Sequence, residues 1–85
     1  MKINLRYFAS VREAVGIGQE SVDLPGEVDT VGAVRGLLVT RGGPWAEALA
    51  PQRAVRMACN QVMCGPETRV EAGAEVAFFP PVTGG

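Results

Sequence analysis

The residues best suited to do chemistry are the last two of the sequence, Gly84 and Gly85. Because they have no side chains, they would leave a terminal carboxylate unhindered toward a nucleophile or an activating enzyme. Pro80 and Pro81 come shortly before them, and proline favours extended backbone and cannot donate to a sheet ladder. The spacing predicts a stiff tail over residues 80–85 with a reactive end, and the alternative is a frayed terminus without function.

No other residues form a recognisable catalytic or metal-binding set. The chain has no histidine, no Gly-x-x-x-x-Gly-Lys phosphate loop and no nucleophile paired with a base. Cys59 and Cys64 have four residues between them, which fits neither a zinc pattern nor a redox pair, so we expect buried free thiols. We therefore expect no bound cofactor and no metal, and a chain that is inert on its own.

Length and composition favour one small globular domain. A chain of 85 residues can bury roughly 60 to 65 % of its unfolded surface. It is 47 % hydrophobic and 20 % charged with a net charge of -1, so it is neither disordered nor a binder of nucleic acid. No apolar run approaches the roughly 18 residues of a membrane span. We expect no membrane partner, a cytoplasmic location and, in that reducing compartment, no disulfide.

Two alternating stretches near the start predict an antiparallel hairpin. Residues 3–7 alternate apolar and polar side chains with the period of a strand, and residues 20–24 do so again before a Pro-Gly turn. Between them, Ser10 and Glu13 have the spacing of a capping box, and Gly16 could stop a helix. We expect a single helical turn or a wide loop over residues 10–15.

One main helix is predicted after Thr30, which can cap it. Its apolar stripe follows the helical period and consists of Val31, Val34, Leu37 and Leu38. Gly32 and Gly36 weaken the helix, and we expect their small size to let it sit close to the sheet. Residues 42–44, Gly-Gly-Pro, should end it, before a short helical piece over residues 45–49 whose tryptophan fills the core.

The second half of the chain predicts further strands. They cover residues 54–60, a short stretch around residues 62–64 after an Asn60-Gln61 turn, and residues 75–79. Hairpin, helix and further strands make an α+β domain over residues 1–79, in which a sheet wraps over one principal helix. The extended tail, residues 80–85, follows it.

Three segments of the sequence closely resemble the small subunits of molybdopterin synthase, a family of ubiquitin-like sulfur carriers. They are Leu5-Arg6-Tyr7-Phe8-Ala9-Ser10-Val11-Arg12-Glu13, the Asn60-Gln61 turn, and the closing run from Gly73 through Phe78-Phe79-Pro80-Pro81-Val82-Thr83-Gly84-Gly85. The closing run is the most specific, because the sulfur carriers of thiamine biosynthesis share only its Gly-Gly end. The resemblance implies a β-grasp fold with a mixed sheet.

The resemblance also implies the chemistry. The Gly85 carboxylate would be adenylated by a separate E1-like enzyme that uses ATP, and converted to a thiocarboxylate with sulfur from a donor enzyme. The tail would then enter the large subunit of the synthase, within a heterotetramer. There its sulfur would pass to cyclic pyranopterin monophosphate, and two transfers would build the dithiolene of molybdopterin. The chain itself would be a non-catalytic subunit with Gly85 as a reactant.

Alternation along the strands predicts a docking face for that partner. If the apolar residues of the first strand face the helix, Phe8 faces the opposite way, and one of Phe78 and Phe79 must do likewise. The resemblance favours Phe8 and Phe79, with Met63 beside them. The partner-binding residues of the tail would be Pro80, Pro81, Val82 and Thr83, with Gly84 keeping its end thin. The alternative is that the aromatic residues and Met63 complete the core of a sheet covered on both faces.

Other functions remain open at this point. The chain could be a ubiquitin-like modifier that forms isopeptide bonds, or a plain interaction module with an inert tail. A sulfur carrier could also serve another pathway, such as thiamine synthesis or tRNA thiolation. The mass of the terminus after activation separates these possibilities, because only a sulfur carrier exchanges a terminal oxygen for sulfur.

Overall fold

The computed structural model describes residues 1–81, which form a mixed five-stranded sheet and three helices. The elements are β1 (Lys2–Tyr7), α1 (Ala9–Val15), β2 (Gln19–Asp23), α2 (Val31–Val39), α3 (Gly43–Ala48), β3 (Arg56–Cys59), β4 (Val62–Cys64) and β5 (Glu75–Phe79). The strand order is β2-β1-β5-β3-β4, with β1 and β5 parallel and the other neighbouring pairs antiparallel. The first and last of these strands therefore lie side by side inside the sheet.

The hydrophobic core lies between one face of the sheet and the helices. It takes the alternate residues of β1 and β5 together with the apolar stripe of α2, and its fully buried members include Ile3, Leu5, Tyr7, Val31, Val34, Leu38, Val76 and Phe78. We call this side of the sheet the core face. The residues between them, such as Asn4 and Glu75, point to the other side, which we call the outer face. This arrangement confirms the predicted α+β fold of β-grasp type.

The main helix begins where the sequence predicts. The Thr30 hydroxyl accepts a hydrogen bond from the Ala33 amide at 3.1 Å, as an N-cap should. The first two amides of the helix donate to the loop that follows β4. Val31 N donates to Thr68 O at 2.9 Å, and Gly32 N donates to Pro66 O at 2.8 Å. The start of α2 is therefore held by its own cap and by the loop that follows β4.

The prediction that two glycines bring α2 close to the sheet is wrong. A Cβ at Gly32 would lie 2.9 Å from the Pro66 Cβ and 3.0 Å from the Pro66 carbonyl oxygen. The lack of a side chain at Gly32 therefore leaves room for the loop after β4, not for the sheet. A Cβ at Gly36 would meet no atom within 4 Å. One glycine thus permits a close approach of two backbones, and the other has no packing reason to be there.

Helix α1 is longer than predicted and starts earlier. Its N-cap is Phe8 in extended conformation, with no side-chain cap, so the capping box at Ser10 and Glu13 is wrong. The Phe8 carbonyl accepts from the amides of Val11 and Arg12 at 3.1 and 3.3 Å, so the helix is already under way where Ser10 would have capped it. Gly16, with φ 85°, ends the helix as predicted.

The second boundary that differs is the end of α2. The helix stops at Val39, and turns continue through hydrogen bonds such as Arg41 N to Leu38 O at 3.0 Å. The Gly-Gly-Pro segment at 42–44 begins α3, with Gly42 as the N-cap and the proline in the first turn, where its missing amide hydrogen is no loss.

A polar and aromatic cluster closes the core beside β1. The Tyr7 hydroxyl donates to Glu20 Oε2 at 2.7 Å, and Arg41 donates to both oxygens of that carboxylate at 2.8 and 3.1 Å. The Arg41 guanidinium lies 4.4 Å from the ring centre of Trp45, whose ring meets Tyr7 edge-on at 5.2 Å. Trp45 is half-buried against the core, as predicted. Among the described residues, no buried side-chain nitrogen or oxygen lacks a hydrogen-bond partner.

This cluster perturbs the acid–base properties of two of its members. Burial, followed by the hydrogen bond to Glu20, raises the pKa of Tyr7 well above its ordinary value. Burial alone would raise the pKa of Glu20, but the hydrogen bonds from Arg41 and Tyr7 outweigh it and lower the pKa. Glu20 is therefore an ionised carboxylate between two donors at neutral pH.

The hairpin of β3 and β4 turns at Asn60 and Gln61, which have φ angles of 51° and 67°, and confirms the predicted turn. Strand β3 is shorter than the predicted residues 54–60. Cys59 and Cys64 are free and half-buried, and burial raises the pKa of the Cys59 thiol.

None of the helices within residues 1–81 has the length and apolar character needed to cross a membrane. Within the same range, no three side chains of the metal-ligating kinds His, Cys, Asp and Glu are grouped so that they could hold a metal ion.

Candidate functional site

The predicted tail begins at the inner part of the sheet. Strand β5 ends at Phe79, which pairs with Arg56 of β3, and Pro80 and Pro81 follow as half-buried residues outside the ladder. The remaining predicted site residues of the tail, Val82, Thr83, Gly84 and Gly85, lie outside the described part of the chain. The geometry of the site is therefore that of the surface from which the tail departs.

An aromatic pair stands on the outer face beside the start of the tail. Tyr7 pairs with Phe78, so the next residues along, Phe8 and Phe79, lie opposite one another. Their ring centroids are 6.4 Å apart at an angle of 82°, an edge-to-face contact. Phe8 is 40 % exposed and Phe79 is half-buried. The structure thus brings together the two aromatic residues that alternation and family resemblance select.

Two alanines form a flat floor next to this pair. Ala77 pairs with Arg6 on one side and with Ala58 on the other, and Ala58 pairs with Met63. These four residues make one row across the sheet, and the two alanines are 7 and 8 % exposed yet outside the core cluster. Met63, 57 % exposed, lies at the edge of the row. The prediction that it stands directly beside the aromatic pair is corrected by this register, since the alanine floor separates them.

We call this surface the outer-face patch and define it as Phe8, Phe79, Ala77, Ala58 and Met63. Phe8 and Met63 of this patch are among the large hydrophobic side chains that stay exposed within residues 1–81. An exposed aromatic ring and an exposed methionine beside a flat apolar floor are typical of a surface that another protein covers. The alternative of a sheet buried on both faces is not what the described residues show.

Cationic side chains border the outer-face patch. The Arg6 guanidinium lies 5.3 Å from the ring centre of Phe8 and 3.8 Å from the Glu75 carboxylate. Arg56, opposite Phe79, is exposed. Sequence reasoning missed Arg6 and the two alanines, because their place beside the aromatic pair follows from the pairing of β1, β5 and β3, which alternation along one strand does not reveal.

A groove of about 280 Å³ lies behind the start of the tail, between α1 and the segment before β3. Pro80, Val11, Val55 and Arg53 contribute to its walls. Its remaining lining residues offer one hydroxyl, that of Ser10, but no carboxylate, thiol or imidazole. The groove therefore contains no pair of groups that could activate a carboxylate.

Arg35 of α2 holds the segment on the far side of this groove. Its guanidinium donates to the carbonyl oxygens of Leu49, Ala50 and Arg53 at 2.8, 2.6 and 3.0 Å. Arginine suits this role because its planar fork reaches several acceptors at once. Sequence reasoning missed Arg35, because its acceptors lie 14 to 18 positions further along the chain and no local pattern indicates that contact.

Together these features place the predicted docking face next to the start of the predicted tail. The outer-face patch offers apolar surface, and the two half-buried prolines follow Phe79 at its edge. The described lining of the groove behind the start of the tail includes no nucleophile paired with a base.

The chain is similar to known proteins over nearly its whole length. The model of the ThiS family matches residues 5–85. The molybdopterin synthase sulfur carrier subunit of Haemophilus influenzae is 40 % identical over 83 residues, which cover 98 % of this chain and 99 % of that protein. The subunit of the same name from Escherichia coli strain K12 is 37 % identical over the same shares of the two chains.

Solved structures share the fold over the whole chain. SAMP1 from Haloferax volcanii superposes with a TM-score of 0.76 at 26 % identity and full coverage of both chains. A chain from the complex of subunits 1 and 2 of the molybdopterin-converting factor of Helicobacter pylori 26695 superposes with a TM-score of 0.66 at 20 % identity, again over both full chains. At that identity the second likeness concerns the fold alone.

Proposed function

The chain belongs to the ThiS family, and we propose that it serves as the sulfur carrier subunit of molybdopterin synthase. The observation that carries this proposal is the 40 % identity to a subunit of that name over 98 % of the chain. The exposed aromatic pair at the start of a Gly-Gly tail supports it, because a carrier must both dock and present its end. On this proposal the chain is a non-catalytic subunit that binds no cofactor and works in the cytoplasm.

The proposed chemistry takes place at the Gly85 carboxylate, which is unreactive until it is activated. A separate E1-like enzyme uses ATP to form the acyl-adenylate, and AMP is then a good leaving group. Sulfur from a donor enzyme displaces AMP and leaves a thiocarboxylate. The sulfur passes to cyclic pyranopterin monophosphate, and two such transfers complete the dithiolene of molybdopterin.

The proposed partner for docking is the large subunit of the synthase, in a heterotetramer. Phe8 and Phe79 would anchor the contact, with Met63 at its edge. Residues 80–85 can span roughly 20 Å when extended, which is enough for the terminal carbon to enter a pocket while the domain stays outside. The two prolines lower the conformational entropy lost on binding.

The first experiment tests whether Gly85 is the reactant. Appending one residue after Gly85, or deleting Gly85, should abolish thiocarboxylate formation because the activated carboxyl is no longer the right one. Intact mass after incubation with ATP, the activating enzyme and a sulfur source measures the exchange of one oxygen for sulfur. The variants should melt like the unmodified chain, and full activity of an unprocessed extended variant would contradict the proposal.

The second experiment concerns Gly84, directly behind the reacting carbon. Gly84→Val should still bind the large subunit through the outer-face patch but transfer sulfur slowly, because its side chain thickens the tail and restricts its backbone. Pull-down of the complex and a single-turnover transfer assay separate the two effects. Gly26→Val, the same change at an open position outside the tail and the outer-face patch, is the matched control. Unchanged transfer by Gly84→Val would show that the pocket tolerates bulk.

Protein conjugation is the second candidate function. SAMP1 of Haloferax volcanii is a small archaeal modifier protein, and the likeness to it at 26 % identity is the reason to test this function. A modifier would form amide bonds to lysines of other proteins after the same activation. Covalent adducts with target proteins, in place of a thiocarboxylate, would establish this function.

A further inference from the structure

Arg6 of β1 lies on the outer face at the border of the outer-face patch. It pairs with Gln19 of β2 on one side and with Ala77 of β5 on the other. Its guanidinium lies 5.3 Å from the ring centre of Phe8, and one of its nitrogens lies 3.8 Å from the Glu75 carboxylate. An aromatic ring and a carboxylate thus hold this cation in a defined place beside the exposed ring.

The hydrogen-bond donors of this guanidinium are not used inside the domain. Within residues 1–81 it donates no hydrogen bond, since 3.8 Å to Glu75 is beyond hydrogen-bond distance. On the core side of the sheet, Arg35 donates three hydrogen bonds to backbone carbonyls and Arg41 donates two to the Glu20 carboxylate. The Arg6 side chain is 40 % exposed, so its donors face water in the free domain.

The ion pair between Arg6 and Glu75 contributes little to folding. Both side chains are partly exposed, at 40 and 29 %, and ion pairs in such surroundings add little to stability. Folding alone therefore gives no reason for an arginine at this position.

A partner that covers the outer-face patch also covers Arg6. Because the guanidinium lies against the ring of Phe8 and the residue pairs with the nearly buried Ala77, a surface packed on these two residues removes water from the cation as well. A buried cation is costly unless acceptors replace the water that it loses. Glu75 lies near one nitrogen only, so the partner must supply the remaining acceptors. A carboxylate suits this need because it can accept two parallel hydrogen bonds from an arginine.

The neighbouring charges have the same sign as Arg6. Arg12 lines one hollow of the surface together with Arg6 and Phe8, and Arg56 pairs with Phe79 on the other side of the aromatic pair. Both of these arginines are exposed. The border is thus rich in cations although the whole chain has a net charge of -1, and such a local excess complements an acidic surface.

We propose that Arg6 determines the specificity of docking by binding a carboxylate of the partner surface that covers Phe8. This inference rests on the proposed function, in which that partner is the large subunit of the synthase. It adds the chemistry of the recognised group, which is an aspartate or glutamate side chain at the edge of an apolar contact. A surface with an apolar or basic group at that place would leave the guanidinium buried without acceptors and would bind weakly.

The test measures binding of the full chain to the large subunit by isothermal titration at about 50 and about 500 mM NaCl. Arg6→Met and Arg6→Gln both remove the charge. At the lower salt concentration each should weaken binding about thirtyfold, because a carboxylate of the partner is left unpaired. The loss should be smaller at the higher salt concentration, where charge interactions are screened. Arg6→Lys should recover part of the affinity, because it restores the charge without the planar fork.

Arg69→Met is the matched control. Arg69 is another exposed arginine paired with a carboxylate, that of Asp29 at 3.3 Å, but it lies beside the start of α2 and away from the outer-face patch. This variant should bind within about twofold of the parent. Thermal melting checks that every variant is folded, and all should melt close to the parent because the ion pairs removed are exposed.

The possible results separate this inference from the proposed function. If the uncharged Arg6 variants bind like the parent while Phe8→Ala binds weakly, the patch is the docking face but Arg6 recognises no carboxylate, and this inference alone is overturned. A loss that is equal at both salt concentrations also overturns it, because the missing contact would then be one of packing. If the unmodified chain does not bind the large subunit, the proposed function fails and this inference fails with it.

Discussion

The two faces of the sheet use neighbouring residues of the same strands in opposite ways. Phe78 on the core face is fully buried, while Phe79 on the outer face stays half-buried against Phe8. On the core face, the buried Tyr7 also has its hydroxyl satisfied, since this group donates a hydrogen bond to Glu20. The outer face exposes the ring of Phe8 beside the start of the tail. The difference teaches that neighbouring residues of one strand can serve separate ends: Phe78 supplies stability, and Phe79 belongs to the surface proposed for recognition.

The largest effect is expected from breaking the core face. Phe78→Ala should lower the free energy of unfolding by about 3 to 5 kcal/mol, because it leaves a cavity among fully buried side chains. Urea denaturation followed by circular dichroism measures this loss. A variant that keeps nearly the parent stability would show that Phe78 is not the central packing residue its burial indicates.

The outer face should respond in binding. Phe79→Ala should reduce affinity for the large subunit about thirtyfold, the equivalent of roughly 2 kcal/mol for an aromatic anchor, while melting close to the parent. Phe8→Ala should act in the same sense. Val62→Ala is the matched control, because Val62 is 66 % exposed but alternates with Met63 and so lies off the outer-face patch.

The opposite result for Phe79 would be informative. If Phe79→Ala melts far below the parent while its folded fraction binds normally, Phe79 belongs to the core and the docking face is misassigned. Isothermal titration and thermal melting on the same preparation separate the two cases.

The stability that Glu20 contributes through its hydrogen bonds with Tyr7 and Arg41 should depend on pH. The pKa of Glu20 is lowered in the folded state, so its contribution is present above its ordinary pKa of 4.5 and is lost as pH falls through the lower folded value. Glu20→Gln should lose about 1 to 2 kcal/mol at pH 7, given its partial exposure. The gap between variant and parent should close under acid conditions. A gap that is constant with pH would exclude the charge as its cause.

The smallest effects concern the two glycines of α2, which sharpen the comparison between packed and open surfaces. Gly36→Ala should raise stability by about 0.5 to 1 kcal/mol, because alanine favours helix and its Cβ meets nothing. Gly32→Ala should lower stability, since its Cβ would press on the Pro66 backbone. Equal effects of the two substitutions, measured by urea denaturation, would contradict the packing described for Gly32.

The features that the sequence predicts well are those with local causes. Alternation identifies β1 and the residues that face outward, Thr30 marks the start of α2, and Asn60-Gln61 marks a turn. The features missed depend on distant partners. The Pro66 loop explains Gly32, the loop before β3 explains Arg35, and strand register sets Met63 apart from the aromatic pair. Local patterns do not contain those contacts, since they arise only when separate segments meet.

The place of β5 in the strand order also bears on how the molecule is made. During synthesis the β1–β2 and β3–β4 hairpins emerge before β5, which must insert between them, and isolated hairpins are marginal in water. Cooperative folding therefore waits for the strand that leads into the tail. A chain interrupted before Phe79 would be an unfolded target for proteases, so the pool of native molecules is enriched in those that carry the start of the tail.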